Sequence, residues 1–264
     1  MSRRLSVLKL GGSILRGDRS YAEAARFLQT RLTLNQDERL VVIVSAQFGT
    51  TDHLLAEAQT ITDDPSQTAL DLLWSTGELR SVALLALHLQ KIGVSAKPFN
   101  VHQTGLVAGR AAGTSVRPSG LRAALAYARI VIVPGFLGVS DGGAIASLGR
   151  GGSDLTAVLL ASAIGADRCE LIKDVAGYYT ADPNRDPAAQ HIHDLPVADA
   201  IRMADAGCDL VQRAALAAAA GAGLHLVVRS MSPDAPVTHV YANERTAHHG
   251  IRDENDPRGT AVGA

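Results

Sequence analysis

The chain is predicted to be an α/β protein whose mainly parallel sheet carries helices on both faces. Apolar runs of strand length alternate with helical patterns along the sequence, the arrangement that crossover connections produce. Of its 264 residues 47% are hydrophobic, enough to bury a substantial core in one large or two intimate units. No internal repeat or low-complexity tract interrupts the pattern.

Leu5–Leu10 opens the chain as a buried strand that runs into a turn at Gly11, Gly12 and Ser13. A helical pattern at Tyr21–Leu34 leads to a strand at Leu40–Ser45, then to helices at Thr51–Thr60 and Gln67–Lys91. Val94–Phe99 reads as the next strand, and the polar, glycine-bearing stretch His102–Ser119 as an inserted loop or hairpin. A helix at Gly120–Tyr127, a strand at Ile130–Val133 and a hairpin or loop at Ser140–Ser147 follow. The C-terminal part repeats the alternation: helix Asp154–Ile164, strand Cys169–Ile172, helices Pro196–Ala206 and Val211–Ala220, strand Leu224–Val228. The Ala214–Ala222 cluster is a strong helix former that ends at glycines, and the last twenty residues are charged and turn-rich.

Composition excludes several classes. A net charge of -1 with no dense basic patch argues against nucleic acid as a partner. Neither a signal-peptide core nor an apolar run of membrane-spanning length is present, so a cytoplasmic protein is expected. Cys169 and Cys208 make no C-x-x-C pair and are expected as buried free thiols. His191 with His193, and His248 with His249, lack the companions that specify a metal site, and no residue is assigned as a metal ligand. Trp74, the single tryptophan, reads as a packing residue.

Chemistry concentrates in Ser147–Ala157, where Arg150, Gly151, Gly152, Ser153 and Asp154 gather at a helix start. Glycines admit a ligand to the backbone, Ser153 or Asp154 is suited to cap the helix, and Arg150 offers a fork for a carboxylate or phosphate. The same residues also suit an ordinary capped glycine turn. Lys9 stands inside an apolar run, either snorkelling from a strand end or neutralising phosphate oxygens cradled by the Gly11-Gly12-Ser13 turn. Neither the P-loop spacing nor a dinucleotide-type G-x-G-x-x-G at the first strand occurs.

K-L-G-G-S at Lys9, the Val41–Leu55 segment, S-T-G-E at Ser75–Glu78, G-F-L-G at Gly135, G-R-G-G-S-D at Gly149 and D-V-A-G-Y-Y-T-A-D-P at Asp174 follow in that order. Together they resemble the aspartokinase branch of the amino acid kinase family, from about Leu5 to about Asn243. The resemblance implies a three-layer α/β/α sandwich with a boundary near Val139: residues 1–138 presenting the phosphate acceptor and 139–264 holding the nucleotide. It leaves no room for the ACT-type regulatory domains that many aspartokinases carry. A homodimer is the family expectation.

The activity implied is transfer of the γ-phosphoryl group of ATP, with Mg²⁺, to the side-chain carboxylate of L-aspartate. Aspartate is ionised at neutral pH, so positioning and charge neutralisation supply the rate. By resemblance, Lys9 with the N–H groups of Gly11 and Gly12 meets the transferring phosphoryl group, and Asp154 orients Lys9 or the metal environment. Glu78 binds the substrate ammonium and Arg150 its α-carboxylate, while Ser45 with Thr50 or Thr51 lines the acceptor pocket beside Gly151, Gly152 and Ser153. Read alone, without the surrounding S-T-G-E, Glu78 is first of all an exposed carboxylate on the long Gln67–Lys91 helix. Ser13, Lys173, Asp174, Tyr179, Asp182 and Arg185 take the nucleotide side.

Departures from the family pattern fall on that side. Where G-A-K is usual this chain has Gly207-Cys208-Asp209, so a cation becomes a carboxylate; Lys173 replaces the threonine of T-D-V, and Arg185 follows a changed D-P-R. Lys173 and Arg185 are therefore the compensating cations to examine. The alternatives to an aspartate kinase are a kinase for another acidic amino acid or small carboxylate, and a weakly active binding or regulatory subunit.

Overall fold

The computed structural model describes residues 4–109, 113–149, 151–183 and 185–242. Its strands are β1 (Leu5–Leu10), β2 (Arg39–Val44), β3 (Lys97–Pro98), β4 (Leu106–Val107), β5 (Ser115–Val116), β6 (Ile130–Pro134), β7 (Leu137–Val139), β8 (Ile145–Ser147), β9 (Arg168–Ile172), β10 (Asp194–Pro196), β11 (Leu226–Arg229) and β12 (Thr238–Tyr241). The helices are α1 (Asp18–Leu34), α2 (Thr50–Ile61), α3 (Gln67–Lys91), α4 (Ser119–Tyr127), α5 (Gly152–Ile164), α6 (Val197–Asp205) and α7 (Arg213–Ala222).

Eight strands form the central sheet in the order β10-β12-β11-β9-β1-β2-β6-β3, parallel except where β11 meets β12. The sheet runs without interruption across the boundary near Val139, because β9 pairs with β1 and places Leu171 beside Lys9. Side chains of β1 alternate between two cores. Leu8 and Leu10 pack with Tyr21, Leu28 and Leu85 under α1 and α3, whereas Val7 packs with Leu160, Ala161 and Leu216 under α5 and α7. Each face buries only about half of any strand's side chains, so both helical layers are needed to exclude water from the fully apolar runs. The result is the expected three-layer sandwich.

The two stretches read as loop or hairpin both form hairpins, which join in a second, four-stranded sheet ordered β5-β4-β7-β8. Three strands went unread: β7, which precedes the expected Ser140–Ser147 stretch, and β10 and β12, which are short and carry Asp194, Pro196, Thr238 and His239 rather than apolar runs. Val94–Phe99 contributes only the two residues of β3 at the sheet edge. No helix among the described residues is long and apolar enough to cross a membrane.

Candidate active site

Parallel strands β1, β2, β6 and β9 all end on the same side of the sheet, and the chemistry-bearing residues leave from those ends, as ligand sites of open α/β sheets do. Lys9 is the penultimate residue of β1. Ser45 follows β2, Gly135 follows β6, and Lys173 with Asp174 follows β9.

Asp154 lies in the first turn of α5, and its carboxylate is held from both sides. Nζ of Lys9 lies 2.8 Å from Oδ1 and Nζ of Lys173 lies 2.8 Å from Oδ2. All three side chains are buried or nearly so. Burial by itself raises the Asp154 pKa, but the charges of Lys9 and then Lys173 prevail and hold it at about 2. Burial and repulsion from Lys9 lower the Lys173 pKa, opposed by Asp154. Two ammonium groups on one carboxylate leave a buried excess of positive charge, an environment that favours an anion.

The turn after β1 differs in detail from the expected cradle. The N–H of Gly11 donates to the Ile172 carbonyl at 3.3 Å and is not available to a phosphate. Gly12 and Ser13 begin a short 3₁₀ turn, Gly12–Ile14, whose first N–H groups have no acceptor within it. Ser13 Oγ donates to Asp174 Oδ1 at 3.1 Å, tying this turn to the end of β9.

Capping of α5 also differs. Gly151, not Ser153 or Asp154, is the N-cap, with φ of 72°; a Cβ there would lie 1.8 Å from Cγ of Gln212, the residue before α7. Freed from capping, Asp154 turns into the lysine pair and Ser153 packs against Gly135, where a Cβ would lie 2.6 Å from the Ser153 Oγ. Gly152 sits against Phe136. Arg150 falls outside the described residues, as do His248 and His249.

Glu78 is buried within α3 at 3% exposure, which decides against a solvated helix face. Burial pushes its carboxyl up to about 8, moderated by the backbone N–H of Ala46, the charge of Lys9 and the N–H of Gly135. Oε2 of Glu78 is buried with no hydrogen-bond partner among the described residues. Thr50 packs on the same helix beside it: a Cβ on Gly77 would lie 2.9 Å from the Thr50 Cγ2. Ser45 and Thr51 are half-buried at the adjoining ends of β2 and α2.

Two residues not assigned from the sequence belong to this wall. Trp74, one turn before Glu78, meets Phe136 edge-on at 5.7 Å, and its Nε1 is buried without a partner among the described residues. Phe136 has φ of 67°, rare for an aromatic residue and the sort of backbone strain that gathers at functional sites. The G-F-L-G motif contained the signal; the strained angle itself is not visible in a sequence.

On the nucleotide side the expected residues do not form one cluster. Tyr179 packs edge-on to His191 at 5.1 Å, and Asp182 pairs with Arg185 at 3.3 Å on the surface. Asp209 is exposed beyond α6, and Arg213 at the start of α7 pairs with Asp205 at 2.7 Å.

The chain is similar to known proteins over most of its length. The profile described as Amino acid kinase family matches residues 4–230. An aspartokinase of Thermus thermophilus is 39% identical over 232 residues, covering 86% of this chain and 56% of the relative. The aspartate kinase structure from Synechocystis superposes with a TM-score of 0.79 at 34% identity, over 90% of this chain and 40% of that one. An E. coli aspartokinase III structure in complex with aspartate and ADP gives a TM-score of 0.76 at 26% identity, over 90% of this chain and 64% of that one. The chain thus spans about half the length of the curated relatives it matches.

Proposed function

Because this chain belongs to the amino acid kinase family, we propose that it transfers the γ-phosphoryl group of ATP to the side-chain carboxylate of L-aspartate, giving 4-phospho-L-aspartate and ADP. The observation that carries this reading is the buried Lys9–Asp154–Lys173 trio beside the buried Glu78. Its excess positive charge suits a transferring phosphoryl group, and Glu78 suits the ammonium of an amino acid.

A carboxylate oxygen of the acceptor attacks the γ-phosphorus as the bond to the bridging oxygen of ADP breaks. The acceptor has no proton to give up, so no general base is required. Lys9 and Lys173 neutralise charge on the phosphoryl oxygens, and Asp154 fixes both ammonium groups in place before substrate arrives, so little reorganisation is needed. The unengaged N–H groups of Gly12 and Ser13 point to the same role. Glu78 takes the substrate ammonium, with Ser45, Thr50, Thr51, Gly151, Gly152 and Ser153 around the acceptor; Arg150 takes its α-carboxylate.

Magnesium fits as a passenger of the nucleotide. Among the described residues no group of three His, Cys, Asp or Glu side chains is arranged to hold a metal, whereas Asp174 is exposed at the end of β9 with Ser13 on one oxygen. Asp174 would meet an ion held mainly by phosphate oxygens, whose chemistry is to neutralise them. Residues 1–138 form the acceptor side and 139–264 the nucleotide side, in a cytoplasmic homodimer. Trapping the acyl phosphate with hydroxylamine, across a panel of acidic amino acids with ATP and Mg²⁺, tests the proposal. Hydroxamate from aspartate supports it; none from aspartate with a strong signal from another acid refutes it.

A further inference from the structure

The chain leaving β6 turns on an aromatic residue held in the left-handed region. Phe136 has φ of 67°, and the N–H of Leu137 donates to the Gly135 carbonyl, two residues back, at 2.8 Å. That bond closes a γ-turn of positive hand, which is rare and strained, and glycine is the residue that adopts such an angle freely. A strained residue persists where its surroundings over-determine it. Here the Gly135 N–H donates to the Val44 carbonyl at 2.9 Å and the Phe136 carbonyl accepts from the Leu148 N–H at 2.8 Å, so the backbone is fixed on both sides of the turn.

The Phe136 side chain is clamped as well. On one side it lies against the start of α5, where a Cβ on Gly152 would come within 3.1 Å of its Cδ2. On the other side Trp74 of α3 meets its ring edge-on, with 5.7 Å between centroids and 64° between planes. The turn is therefore a wedge between the helix that carries Glu78 and the helix that carries Asp154. Besides closing the β2–β6 pairing, the Gly135 N–H reaches the Glu78 carboxyl and opposes the upward push of burial. Lys9 of β1 and Tyr21 of α1 act on Glu78 through charge; β6 and β8 bring no titratable side chain, and Asp52 and His53 of α2 are exposed.

We propose that Trp74 is a positioning residue for the acceptor substrate: its ring holds Phe136 in the left-handed turn, and the turn keeps the Gly135 N–H on the Glu78 carboxylate. An edge-on aromatic contact is directional, whereas an aliphatic side chain would fill the same space without fixing the ring. The inference rests on the acceptor role of Glu78 proposed above.

Hydroxamate kinetics of Trp74→Leu and Trp74→Phe against the wild type test it. In Trp74→Leu the aspartate KM at pH 7 is expected to rise about tenfold, as loss of a hydrogen bond to a charged group implies, with turnover and the ATP KM little changed. Its fall with rising pH is expected to move to higher pH, because Glu78 has lost a donor that favours its charged form. Trp74→Phe keeps an aromatic edge and is expected to restore both. A Trp74→Leu protein with the wild-type aspartate KM and pH profile overturns the proposal; so do equal losses in turnover, ATP KM and aspartate KM, which would make Trp74 a packing residue. Substrate-free protein gives a decision that depends neither on the folding of these variants nor on which acid is phosphorylated. Emission of Trp74, the single tryptophan, is expected to step as Glu78 ionises near pH 8 in the wild type and to stay flat in Glu78→Gln. No step in the wild type, or the same step in Glu78→Gln, refutes the coupling.

Discussion

Lys173 meets Oδ2 of Asp154 at 2.8 Å, opposite the oxygen that Lys9 approaches to the same distance. The carboxylate is thus the only negative charge among three buried groups that the ends of β1 and β9 and the start of α5 bring together. Removing it leaves two buried ammonium groups facing each other. Asp154→Asn is expected to cost about 3–5 kcal/mol of stability, the range for breaking a buried ion pair from one side, and to lower turnover severely. Urea denaturation and initial rates on one preparation check both effects; a variant as stable as the wild type would remove the trio from the fold's support.

The pH dependence of stability follows from the same carboxylate. Its folded pKa, about 2, lies below the ordinary value of 3.8, so the unfolded chain takes up the proton first. The stabilisation is fully present above pH about 4 and is lost as pH falls towards 2. Melting curves of wild type and Asp154→Asn are expected to converge across that window; curves that stay parallel contradict the assignment.

Lys9→Ala is expected to lower turnover by on the order of a hundredfold or more while leaving the affinity for aspartate little changed, because the lysine acts on charge that develops during transfer. Hydroxamate formation under saturating substrates, together with the aspartate KM, reads the two effects apart. A large rise in KM with normal turnover would assign Lys9 to ground-state binding instead.

Glu78 predicts the opposite pH behaviour. Its folded pKa, about 8, is above the ordinary 4.5, so the buried site favours the neutral acid. The folded state loses stability as pH rises from about 4.5 through 8, and Glu78→Gln is expected to be the more stable protein over that interval. Binding of an ammonium needs the carboxylate, so the aspartate KM is expected to fall as pH rises through 8, by about tenfold per unit below the pKa. In Glu78→Gln the KM is expected to be high and free of that dependence.

Legibility of these features followed how local their cause was. Lys9 was conspicuous because an ammonium inside Leu5–Leu10 demands a partner, but the sequence did not say that the partner came from α5 and was shared with Lys173. Glu78 remained ambiguous because α3 has no strong apolar stripe, and only its packing against Ala46 and Gly135 decides its burial. The long apolar runs announced β1, β2, β6 and β9, whereas β10 and β12 are short, alternate polar with apolar residues and are held by pairing at the sheet margin. The N-cap of α5 was misread because Ser153 and Asp154 are good cappers by type, while the left-handed turn at Gly151 moved the helix start ahead of them.

Trp74 provides an internal reporter, being the single tryptophan and lying one turn from Glu78 against Phe136. Aspartate is expected to change its emission saturably, with a midpoint equal to the binding constant found by calorimetry. Emission unchanged at saturating aspartate would mean that the acceptor does not bind against this face of α3.

The final expectation concerns the cation missing at Asp209. That side chain is exposed, and the nearby Arg213 is occupied by Asp205, so neither is arranged to take phosphate charge. Arg185 is likewise paired on the surface with Asp182. Lys173 differs from all of these: it is largely buried, stands at the end of β9 next to Lys9, and among the described residues has one carboxylate oxygen as an ion-pair contact, leaving ammonium hydrogens for another acceptor. Lys173→Ala keeps the Lys9–Asp154 pair neutral, so folding is expected to be preserved while ATP binds at least about tenfold more weakly, as loss of a charged hydrogen bond to phosphate implies. Asp209→Lys is expected to alter ATP affinity little, because an exposed charge is screened by water and salt. Equilibrium binding of ATP to the wild type and both variants is the measurement. Wild-type affinity retained in Lys173→Ala, or a large gain in Asp209→Lys, would return the nucleotide-binding role to the start of α7.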